Sequence, residues 1–99
     1  MNLCTYVTLY KYTDQGLRNI KDANKRVEAA KAAAAKVGIK VKEVLWLQGE
    51  YDFMAISEAS DEMVATAFNL NTLKQGNVHT TTIRAFTQAE MEKILAHVV

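Results

Sequence analysis

Val41 to Glu58 reads VKEVLWLQGEYDFMAISE, and this stretch decides the fold. Val41–Leu47 and Tyr51–Glu58 are rich in β-branched and aromatic residues, and Gln48, Gly49 and Glu50 between them give the length and glycine content of a tight hairpin. Two antiparallel strands are therefore expected here. Upstream, Leu3–Tyr12 (LCTYVTLYKY) has the same character and reads as a first strand, and downstream Val78–Phe86 (VHTTTIRAF) reads as a fourth. Between the first and second strands, Leu17, Ile20, Val27, Ala30, Ala34 and Val37 fall at helical spacing behind a cap at Asp14. The alanine-rich run Ala29–Ala35 favours helix, and Gly38 stands where a left-handed C-terminal cap belongs, so one long helix is expected. Ser60 offers the cap of a second helix ending at Gly76, with Met63, Ala67, Phe68 and Leu70 facing inward. Thr87 with Glu90 forms a capping box, and Phe86 with Met91 a hydrophobic staple, ahead of a short C-terminal helix striped by Met91, Ile94, Leu95 and Val98.

The order βαββαβ plus a terminal helix, with right-handed crossovers, gives an α+β, ferredoxin-like fold whose four-stranded antiparallel sheet has the order 4-1-3-2. Both long helices would cover one face, yet neither face of the strands alternates to polar. Leu3, Val7 and Leu9 lie on one parity of the first strand and Tyr6, Tyr10 and Tyr12 on the other, and the hairpin behaves likewise. A second copy covering the free face, a homodimer or higher homo-oligomer, follows as the expectation.

Composition bounds the rest. The 99 residues fit one domain, residues 1–99, and 49% hydrophobic with 23% charged residues is an ordinary globular mix. No apolar run approaches the roughly 20 residues that span a bilayer, and the first residues lack a signal-peptide pattern, so a cytoplasmic protein without membrane contact is expected. One cysteine, Cys4, and two histidines, His79 and His97, give no metal-ligand spacing and no disulfide. Residues 1–42 hold nine Lys or Arg against three acids, but the net charge is only +1 and no nucleic-acid-binding motif is present. Phosphate loops, nucleotide glycine fingerprints, G-x-S-x-G elbows and H-E-x-x-H helices are also missing from the sequence.

Three segments together resemble the GYD domain family: GEYD at Gly49–Asp52, YKYTDQGLRNIKD at Tyr10–Asp22 and TTTIRAFT at Thr80–Thr87. The resemblance implies a small bacterial or archaeal protein of the dimeric α/β-barrel type. It marks Lys11, Thr13, Gly16, Trp46, Gly49, Tyr51, Asp52, Thr82, Arg84 and Phe86 as characteristic positions. It implies little chemistry.

In the 4-1-3-2 sheet, Lys11, Tyr12, Trp46, Gln48, Tyr51, Asp52 and His79 approach one rim. Aromatic walls with a carboxylate, an ammonium and an imidazole suit a small organic ligand. The leading expectation is a homo-oligomeric binding or accessory module, with Trp46 and Tyr51 as walls and Lys11 and Asp52 as anchors. The alternative is a small cofactor-independent, or haem-using, oxygenase or isomerase. There Asp52 or His79 would move the proton and Arg84 or Lys11 would hold an anionic group. Structural roles compete at each position. Asp52 can pair with Lys11 or accept backbone bonds at the hairpin, His79 can be a hydrogen-bonded strand residue, and Arg84, at the opposite sheet end, is expected beside Glu43 and Glu58 in an ion pair.

Overall fold

The computed structural model describes residues 2–99, so Met1 of the expected 1–99 domain lies outside the described residues. The elements are β1 (Cys4–Tyr12), α1 (Asp14–Arg18), a 3-10 turn (Ile20–Asp22), α2 (Ala23–Lys36), β2 (Lys40–Trp46), β3 (Phe53–Ala59), α3 (Glu62–Lys74), β4 (Val78–Ala85) and α4 (Gln88–Leu95). All strand pairs are antiparallel and the order is β2-β3-β1-β4, the expected ferredoxin-like sheet.

The expected single helix from Asp14 is broken. Asn19 closes α1, its amide group donating to the Gln15 carbonyl at 3.1 Å, and the chain passes through the 3-10 turn before α2 begins. Asn and Asp side chains compete with the backbone for hydrogen bonds, which explains an interruption without Gly or Pro. The caps also differ by one residue from expectation. Thr13, not Asp14, caps α1 through the Gly16 N–H, and Asp61, not Ser60, caps α3 by accepting from Met63 and Val64. The capping box at Thr87 and Glu90 is present as expected. Gly38 and Gly76 adopt φ values of +80° and +82° just past the helices, a region that favours glycine.

In β1, Tyr6, Thr8, Tyr10 and Tyr12 point toward α2 and α3, joined across the ladder by Phe53, Ala55 and Val78. The buried core is small: Ala34 of α2, Ile39 and Ala59 meet, with Tyr6, Val64, Ala65 and Phe68 packed around them. Phe68 faces inward as expected, but Met63 is 82% exposed and Leu70 59%, because the inward stripe of α3 runs through Val64, Ala65 and Phe68. The other sheet face carries Val7, Leu9, Met54 and Ile56, with Leu45 48% and Ile83 45% exposed. On edge strand β2 the register slips between Val41 and Glu43, a bulge at Lys42.

Candidate functional site

The site grows from the end of β1. Thr13 donates through its hydroxyl to the Gly76 carbonyl at 2.6 Å, and its N–H donates to Asn77 O at 3.0 Å, which bolts the β1–α1 turn to the α3–β4 loop. Gly16 lies directly against the Asn77 carbonyl, where an added Cβ would collide with it. These contacts give physical content to Thr13 and Gly16 as characteristic positions.

One strand away, the β2–β3 hairpin closes by Leu47 N–H to Asp52 O at 2.9 Å, so its loop runs from Gln48 to Tyr51 and β3 starts at Phe53 rather than Tyr51. The Asp52 N–H donates to Tyr10 O at 2.9 Å, and the Asp52 carboxylate accepts the Tyr12 N–H at 2.8 Å. Asp52 therefore fastens the hairpin to β1, the backbone role weighed for it from sequence. Trp46 donates from its indole to the Tyr12 hydroxyl at 3.1 Å and stacks near Phe53, 5.8 Å between centroids. Phe53 in turn lies parallel to Tyr10 at 4.1 Å. Burial pushes the Tyr10 phenol above its ordinary pKa.

The sheet divides the rim residues. Lys11 faces His79 in the β1–β4 ladder, and both are exposed on the side away from α2 and α3, whereas Tyr12 and Trp46 sit on the helix side. Tyr51 is half-buried in the hairpin loop. Arg84 stands opposite Tyr6, five ladder positions from His79 and so roughly 17 Å away along the strand. It does not meet Glu43 or Glu58. β1 lies between β4 and those strands, and Glu58 pairs with Lys42 at 3.8 Å. Arg84 instead donates to the Thr5 and Ala85 carbonyls, sits 4.4 Å from the Phe86 ring centroid and approaches Glu90 at 3.9 Å. It organises the far end, not the rim.

Sequence reasoning missed a cleft of about 500 Å³ between α2, α3 and the helix-facing side of the sheet. Tyr10, Tyr12 and Phe53 form its floor, Val27 and Ala30 one wall and Phe68 the other. Alanine is the reason: Ala23, Ala29, Ala30 and Ala33 line the cleft with side chains too small to fill the space above the aromatics, while Ala34 is fully buried against Ile39 and Ala59. The signal was the run Ala29–Ala35 facing a strand of tyrosines. Among the described residues no group of three His, Cys, Asp or Glu could hold a metal ion, and no helix is long and apolar enough to cross a membrane.

A model of the GYD domain matches residues 6–95. No curated protein matches the sequence. Among solved structures, the crystal structure of MtbAldR is similar, with a TM-score of 0.67 at 15% identity, a likeness in fold. It covers 87% of this chain and 55% of that one, so the chain spans about half the length of MtbAldR.

Proposed function

The chain belongs to the GYD domain family, and on that premise we propose that it is a homo-oligomeric binding module for a small organic molecule, held at the Tyr12–Trp46 end of the sheet. The observation that carries this reading is the cleft of about 500 Å³ opening behind the Trp46–Tyr12–Phe53 aromatic group, a size within the usual range of ligand pockets. Tyr12 and Phe53 line the cleft with Trp46 packed against both, Tyr51 lies in the adjoining hairpin loop, Asp52 fastens that hairpin to Tyr12, and Lys11 falls on the opposite sheet face, outside the cleft. The enzyme alternative has no comparable support: the Asp52 carboxylate is engaged by the Tyr12 N–H, and His79 lies exposed on the other side of the sheet. A second copy covers Val7, Leu9, Leu45, Met54, Ile56 and Ile83, because that much apolar surface on one sheet face is costly to leave in water. A free Cys4 fits a reducing, cytoplasmic setting.

A thermal-shift screen of small organic compounds tests the module, with Ala30→Trp filling the cleft. Compounds should raise the melting point of the wild type and leave that of Ala30→Trp unchanged. A library without one stabilising compound, or equal stabilisation of Ala30→Trp, overturns the reading. Light scattering tests the assembly. A mass near twice 11.1 kDa is expected, falling to the single-chain value in Ile83→Lys, whereas an 11.1 kDa wild type refutes it.

A further inference from the structure

Arg26, in the first turn of α2, lines the cleft and uses one guanidinium nitrogen, Nη1, to donate to the Asn19 carbonyl at 2.8 Å. Its Nη2 is screened from solvent and has no hydrogen-bond partner among the described residues. A buried charged donor without an acceptor is unfavourable, and native proteins keep few of them. The other cation on the wall, Lys31, already pairs with Glu28 at 3.7 Å. No Asp or Glu lines the cleft, so its own walls hold no carboxylate to answer Arg26. The remaining surface is mostly aromatic and aliphatic, with amide and hydroxyl groups of Asn71, Thr72, Gln75 and Asn77 along one side.

We infer that the cleft binds a small amphipathic carboxylic acid whose carboxylate is taken by the Arg26 guanidinium and whose apolar body lies against Tyr10, Phe53 and Phe68. This rests on the reading of the chain as a binding module and narrows it to a ligand class. Guanidinium is suited to the task because its planar fork matches a carboxylate with two parallel hydrogen bonds. A carboxylate entering the cleft meets Arg26 on its wall and gives the guanidinium a charge-assisted acceptor beyond the Asn19 carbonyl. Selectivity follows from the same arrangement. A neutral amide of equal shape fills the aromatic floor but offers Arg26 a single uncharged carbonyl acceptor in place of a charged, two-oxygen partner, so acid should be preferred over amide.

The test uses three acid and amide pairs as probes: phenylacetate with phenylacetamide, indole-3-acetate with indole-3-acetamide, and hexanoate with hexanamide. Binding to the 99-residue chain at neutral pH is followed by amide NMR shifts at Ala30, Phe53 and Phe68. At least one acid should bind tenfold or more tightly than its amide. Arg26→Met should remove that preference while keeping a dispersed native spectrum, and Arg26→Lys should keep part of it. Equal binding of acid and amide, survival of the preference in Arg26→Met, or no shift at the cleft with any of the six overturns the carboxylate assignment. The broader reading is judged separately: a neutral compound that stabilises the wild type and is blocked by Ala30→Trp preserves the module while discarding its acid.

Discussion

The Asp52 carboxylate accepts the backbone N–H of Tyr12 at 2.8 Å across 40 residues of sequence, fastening the β2–β3 hairpin to the end of β1. The bond satisfies a half-buried donor at the point where β1 leaves the sheet. Asp52→Ala should therefore cost about 1–3 kcal/mol in chemical denaturation, the usual penalty of a stranded amide. Asp52→Asn keeps an acceptor oxygen and should recover most of the loss. Equal stability of the alanine variant and the wild type would remove this role.

Gly16 has no room for a side chain. A Cβ there would overlap the Asn77 carbonyl oxygen and press on Tyr12, and the backbone partner cannot swing aside as a flexible side chain could. Gly16→Ala should destabilise the protein by about 3 kcal/mol, on the scale of strong overpacking, which lowers Tm by roughly 10–20 °C in a chain of this size. Calorimetry measures it directly.

Trp46 is the sole tryptophan, so its fluorescence reports on the Tyr12–Phe53 aromatic group it packs against. Tyr12→Phe removes the hydroxyl that the indole donates to but keeps the ring packed near Phe53. Since Trp46 is 44% exposed, water can replace the lost acceptor, and the stability change should stay under about 1 kcal/mol. The emission maximum should shift even so. Unchanged emission would mean that the pair does not form in solution.

Glu90 carries a pH dependence of known sign. Its hydrogen bond with the Thr87 backbone N–H holds its pKa below the ordinary 4.5, with smaller help from the Thr87 side chain, Arg84 and Lys93. Because the folded pKa is the lower one, the stabilisation is complete above about 4.5 and is lost as pH falls through the folded value. The N-terminal turn of α4 should loosen on acidification within that window, seen as shifts of the Thr87 and Met91 amides by NMR. Glu90→Gln, which keeps the capping geometry without a titrating group, should abolish the response.

Much of this fold is readable from residue pattern, since strand composition at Leu3–Tyr12 and Val78–Phe86 and the Thr87–Glu90 box are local signals that agree with the tertiary answer. The break at Asn19 is less visible because it depends on the side chain reaching back to Gln15 O and on Arg26 gripping Asn19 from the next helix. The rim was half legible. Topology places Tyr12, Trp46 and Asp52 together, but which face each residue takes depends on register, and this separates Lys11 and His79 from Tyr12 and Trp46. The cleft was hard to read for a different reason: a void is a property of how far a helix stands from a sheet, and the small side chains of Ala29–Ala35 signal one only once the strand of tyrosines they face is known.

The irregularity at Lys42 has a consequence for how the molecule meets its neighbours. A flank of a β-layer with free amides and carbonyls is a template for any stray extended peptide. Here the kink interrupts that ladder and the ammonium groups of exposed Lys40 and Lys42 flank it, so an incoming strand would find no even row of partners. Fibril-like growth from this side is thereby discouraged without a covering loop.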